Sequence, residues 1–112
     1  MPRAMLARAS AAALVVASVT VTVAAARPRP AIYTVVVDKM AFGALPGGLH
    51  VGDTIVWVNR DMFQHSATAT DRSFDVDLPP GKSARLVLKR AGAVRFSCKY
   101  HPGMKGTLRV TL

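Results

Sequence analysis

Apolar and polar residues alternate in short runs along most of this chain, and no window carries the spacing of an amphipathic helix. Residues 32–38 are rich in β-branched side chains and predict a first strand. Residues 54–59 are almost free of charge and apolar on both faces, which predicts a strand deep in a sheet. Extended structure resumes at 65–70. Residues 82–89 place Ala84, Leu86 and Leu88 on one face; 93–98 place Val94, Phe96 and Cys98 on one face; and 107–112 place Leu108, Val110 and Leu112 on one face. Between these runs, Leu45-Pro46-Gly47-Gly48, Gly52-Asp53, Leu78-Pro79-Pro80-Gly81 and Arg90-Ala91-Gly92 are turn signals. Phe42 is expected to plug the core, and Met40 to pack rather than bind. Residues 71–77 hold several Asp but lack the glycine and terminal Glu of a calcium loop, so they are expected to form a solvated loop. The pattern predicts an all-β sandwich, antiparallel or mixed, of about seven to eight strands.

The first thirty residues change that picture. Arg3 and Arg8 precede an apolar run at 11–23, broken only by Ser18, Thr20 and Thr22, and Ala24-Ala25-Ala26 offers small residues for cleavage. This predicts a secretory signal peptide over 1–26, a Pro/Arg lead-in over 27–30 and one domain over 31–112. An uncleaved membrane anchor is the alternative, but the run falls short of the ~20 residues a span needs. The expected location is the periplasm or another exported compartment, without stable membrane association once the signal is cut.

From Arg27 onward thirteen Lys and Arg face six Asp and no Glu, so the mature chain is strongly basic. The cations are scattered, and no nucleic-acid motif accompanies them. The excess charge points instead to an acidic protein partner reached by electrostatic steering, with the chain itself a monomer.

Cys98 is the only cysteine, so an exported chain cannot close an internal disulfide with it. His101 and Met104 follow at +3 and +6, and finding both by chance is roughly a one-in-a-thousand event. A thiolate, imidazoles and a distant thioether are the donors of a trigonal His2Cys copper site with a weak axial Met. The second imidazole is expected from His65, at the start of a strand after the most buried one. His50 is expected to be an ordinary surface histidine, and Met62 is a competing axial donor. Zinc fits poorly because Met is a poor zinc ligand. Thiol catalysis fits poorly too, since Cys98 points inward and no Asp or Asn follows His101 to orient it as a base, so an enzyme is not expected.

With these residues in place, the chain resembles the cupredoxins, within them the amicyanin and plastocyanin group. Met40-Ala41-Phe42, Gly52-Asp53, Trp57-Val58-Asn59, Asn59-Arg60-Asp61 ending at His65, Pro80-Gly81-Lys82 and the loop from Cys98 to Gly106 carry the likeness. The two-residue gaps between Cys98, His101 and Met104 look like the short amicyanin loop. The resemblance implies a Greek-key sandwich holding one copper ion, Cu(I) or Cu(II), on His65, Cys98, His101 and Met104. It implies a periplasmic shuttle of single electrons between redox proteins, with His101 as the port and Lys99 and Lys105 bracketing it to orient an acidic partner. Copper storage, delivery or tolerance with the same ligands is the alternative. Asn59 matches a position that holds the ligand regions together. Gln64 stands where many relatives have proline, which loosens the approach of the first histidine. Ser66 stands where Asn is common, which leaves open one hydrogen bond supporting the cysteine loop.

Overall fold

The computed structural model describes residues 1–23 and 29–112; the expected cleavage after Ala26 lies outside the described residues. Residues 1–23 contain no helix or strand, and among the described residues no helix is long and apolar enough to cross a membrane. Nine strands follow: β1 (Ile32–Asp38), β2 (Ala41–Phe42), β3 (Leu49–His50), β4 (Thr54–Asn59), β5 (His65–Ala69), β6 (Asp75–Leu78), β7 (Ser83–Val87), β8 (Gly92–Ser97) and β9 (Lys105–Thr111). They form a four-stranded sheet in the order β2-β1-β4-β7 and a five-stranded sheet in the order β3-β9-β8-β5-β6. The β1/β4 and β3/β9 pairs are parallel and the remaining pairs antiparallel, so both sheets are mixed.

The all-β sandwich expected from alternation is present. Two of its nine strands, β2 and β3, are two residues long, too short to show a period. A third difference is instructive. Residues 75–78, with 75–77 expected in a solvated loop and Leu78 in a turn, are an edge strand paired with β5, with Val76 and Leu78 turned toward the core and Asp75 and Asp77 exposed. The alternation was there in Asp-Val-Asp-Leu, but four residues bearing two charges read as a loop. Charged residues on an edge strand also keep it from pairing with other chains.

The inner faces supply the core. Val35 and Val37 of β1, Ile55 and Trp57 of β4, Ala67 of β5, Leu78 of β6, Phe96 of β8 and Leu108 and Val110 of β9 are all buried. As expected, Phe42 closes one end of this layer, meeting Trp57 edge-on at 5.8 Å and Phe96 at 4.9 Å; Trp57 meets Phe96 at 5.3 Å. Removing a ring from such a cluster costs about 3–5 kcal/mol, and all three pack in or against the apolar cluster that holds Cys98 and Met104. The outer face of β4 is only half-buried, because a sandwich covers each sheet on one side.

Candidate metal centre

β4 ends in Asn59, a buried amide that ties three segments together. Its Nδ2 donates to the carbonyls of Phe63 and Leu78, both at 2.8 Å, and its Oδ1 accepts the Asp61 N–H at 2.9 Å. The 60–64 connection is therefore fixed against β6, and it delivers His65 as the first residue of β5 with no exposed surface. Period two then turns His65, Ala67 and Ala69 to the core. On the neighbouring strand β8 the same rule turns Phe96 inward and, one step beyond the strand, Cys98.

The Cys98 Sγ lies 3.9 Å from His65 Nδ1 and 3.7 Å from His101 Nδ1. One donor atom from each of the three residues falls within 4.8 Å of the others, and the two imidazole rings are 5.0 Å apart. The 98–104 loop is closed by its own backbone: Cys98 N–H donates to the Met104 carbonyl and Met104 N–H to the His101 carbonyl, both at 2.9 Å. Met104 is buried in the same apolar cluster as Cys98. Three of the four residues singled out in the sequence thus converge through their donor atoms, and the fourth is packed into the cluster at the end of their loop. Met62 is 81 % exposed, which leaves the competing axial donor in solvent. His50 sits apart on β3, its N–H donating to Asp53.

Burial pushes the Cys98 thiol up, but the His65 imidazole, the Tyr100 N–H, the His101 imidazole and the Ser66 N–H outweigh it and bring the thiol down to about 6. Thiolate is the metal-binding form. Two imidazole nitrogens and one thiolate, with a thioether in the same loop, are a donor set that suits copper and accommodates both its oxidation states.

Asp61 is a functional residue the sequence reading missed. Its Oδ2 is 2.7 Å from His65 Nε2, and its two oxygens also accept the N–H groups of Lys39 and Met40 at 2.8 and 2.9 Å. Those two residues form the tight turn between β1 and β2, both in the left-handed region, with φ of 51° and 61°. The Met40 N–H first, then His65 and the Lys39 N–H, hold the Asp61 carboxyl down at about 2 against the opposing effect of burial. An ionised carboxylate only accepts, so Nε2 is the ring nitrogen that donates to Asp61, and Nδ1 is the one turned toward Cys98. A carboxylate four residues before a loop histidine carries no geometric meaning in sequence, because only a helix would bring those positions together.

Two expectations drawn from departures are corrected. The hydrogen bond left open by Ser66 is made: Lys99 N–H donates to Ser66 Oγ at 2.8 Å, Ser66 Oγ is 3.0 Å from Thr68 Oγ1, and Thr68 Oγ1 donates to Asp75 at 2.8 Å. Asp75 in turn accepts from Lys99 Nζ, so a ring of side chains runs from β5 through β6 back to the loop. Gln64 does not loosen His65, which Asp61 anchors. Lys99, expected with Lys105 to bracket the port and orient an acidic partner, pairs within the chain with Asp75 and Asp77, each at 3.0 Å, and these contacts raise its pKa.

No family model and no curated relative matches the chain. Solved structures do. The chain matches a reduced Cu(I) proline-to-glycine variant of amicyanin, determined at pH 4, at 27 % identity with a TM-score of 0.59, over 70 % of this chain and 80 % of that one. A reduced tryptophan-to-tyrosine variant of amicyanin matches at 25 % identity and 0.59, over 69 % and 79 %. The fold is that of the cupredoxins. Amicyanin from Paracoccus versutus agrees at the level of fold, at 21 % identity and a TM-score of 0.60, over 70 % and 79 % of the two chains. Within this cupredoxin fold the His65, Cys98 and His101 donors lie together at one end of the sandwich, at the start of β5 and on the loop that follows β8.

Proposed function

We propose that this chain is an exported type 1 copper protein that carries single electrons, using one copper ion held by His65, Cys98, His101 and Met104. The observation that carries this reading is the convergence of two imidazole Nδ1 atoms on one buried thiol. Bound copper supplies the one-electron Cu(I)/Cu(II) couple. The chain's own residues do the rest. His65 and Cys98 are buried, so solvent is kept from the sulfur side, while Asp61 holds the His65 ring and the backbone of Met104 closes the loop. Donors fixed in this way limit the movement that accompanies a change of charge.

His101 alone of the three is partly exposed. Met62, Phe63, Tyr100, Pro102 and Gly103 are exposed in the two loops that meet at the site, with the Phe63 ring edge-on to His101 at 6.4 Å. A desolvated contact with a redox protein through His101 is the route for the electron, and the chain's excess of positive charge suits a partner with an acidic surface.

The test is addition of Cu(II) to the purified chain. An intense thiolate-to-copper visible band with narrow EPR hyperfine splitting is expected, along with reversible redox cycling without loss of metal. Cys98→Ser should lose both spectral features. Absence of the band in the parent chain refutes the site; a band accompanied by rapid handover of copper to an apo acceptor, without stable cycling, favours copper handling.

A further inference from the structure

The two flanks of the donor loop carry opposite charge. On one flank, β6 presents Asp75 and Asp77, and Lys99 is spent on them, so the group of three is net negative. On the other, the outward positions of β8 are Ala93, Arg95 and Ser97, and those of β9 are Lys105, Thr107 and Arg109. The register sets Ala93 against Arg109, Arg95 against Thr107 and Ser97 against Lys105, so Arg95 and Lys105 occupy diagonal positions of adjacent strands, about 7–8 Å apart. Among the described residues Lys99 is the one lysine or arginine within 4.0 Å of a carboxylate; Arg95, Lys105 and Arg109 are exposed without such a partner. No acid lies on the outward positions of these two strands. A groove of about 500 Å³ opens between Thr70, Arg95, Ser97, Pro102, Lys105 and Thr107, and Pro102 is the residue after His101.

We infer that the outer face of β8 and β9 is the docking surface for an acidic protein partner, which therefore sits to one side of His101, over Arg95 and Lys105 and away from β6. Adjacent carboxylates on the partner pair with the two diagonal cations, the hydroxyls of Thr70, Ser97 and Thr107 line the polar floor, and Asp75 and Asp77 repel a partner that approaches from the opposite flank. That the partner is a redox protein rests on the electron-carrier reading; that it is acidic and where it binds rest on this face alone.

The probe is hexaglutamate, titrated into the ¹⁵N-labelled full chain at low salt. Shifts are expected to concentrate at residues 93–97, 103 and 105–109. Arg95→Gln with Lys105→Gln should weaken the affinity about tenfold, while Lys82→Gln with Arg85→Gln, on the other sheet, should leave it unchanged. Shifts spread evenly over all basic residues, or equal loss of affinity in both double variants, would overturn the proposal. Because the readout needs no copper, a chain that binds the peptide at Arg95 and Lys105 but forms no blue site would keep the docking surface and discard the electron carrier.

Discussion

At the scale of single residues, two aspartates hold the site end and the opposite end of the sandwich by accepting backbone N–H groups. Asp61 links the β1–β2 turn to His65, and a group that orients a metal-binding histidine governs affinity without touching the metal. Asp61→Ala should therefore weaken Cu(II) binding about 10–100-fold, measured by competition with a chelator, while the sandwich still folds. Asp53 is buried and accepts the N–H of Ala31 at 2.8 Å and of His50 at 2.9 Å, and these two bonds hold its carboxyl below the usual range. A folded-state pKa below the unfolded value, about 3.9, means that its contribution is complete above that value and is lost as pH falls through the folded one. The melting temperature should therefore drop as pH is lowered from about 5 toward 2. Asp53→Asn should melt lower than the parent at neutral pH, by the equivalent of about 1–3 kcal/mol, and should lose less on acidification. An acid limb as steep as the parent's would show that Asp53 does not contribute to it.

At the scale of elements, the strands that carry the core were legible because their periods are long enough to count. β1, β4, β7, β8 and β9 follow from runs of five to seven residues, and the inward turn of Cys98 follows from the period of β8. What could not be read was contact between elements. The pairing of β6 with β5, the capture of Lys99 by Asp75 and Asp77, and the reach of Asp61 to His65 are set by neighbours far apart in sequence or by a loop of no fixed period. The histidine pair was legible because metal chemistry restricts which residues can complete a Cys-His-Met loop. The glycine after Lys105 shows the same division. Gly106 looks like a loop residue, yet it lies in β9, where an added Cβ would come within 2.8 Å of Phe96 Cζ and 2.9 Å of Leu45 Cδ1. Gly106→Ala should therefore destabilise the fold by about 1–3 kcal/mol in denaturant unfolding. Because the Phe96 ring supplies two of the three closest atoms, the cost should shrink in a Phe96→Leu background; a purely additive pair would place the strain on Leu45 instead.

At the scale of the whole molecule, the site draws on both sheets. His65 and Cys98 belong to strands of the five-stranded sheet or their ends, whereas Asn59 and the turn gripped by Asp61 belong to the four-stranded one. A metal held by His65, Cys98 and His101 is consequently coupled to the packing of one sheet on the other. Any ligand that binds only the folded chain adds RT ln(1 + [L]/Kd) to its stability, about 4 kcal/mol when free metal is 1,000 times Kd. For a domain of this size each kcal/mol is worth about 4–8 °C in Tm, so removing copper should lower Tm by about 15–30 °C under those conditions. Each donor also has an anchor of its own: Asp61 for His65, and the loop's backbone hydrogen bonds for Cys98 and His101. Far-UV circular dichroism of the copper-free chain should therefore match that of the loaded chain at low temperature, with the loss confined to thermal stability. If the strand signal disappeared together with the metal, the sandwich would depend on the ion for its fold, and the protein's own hydrogen bonds would not be what positions the donors.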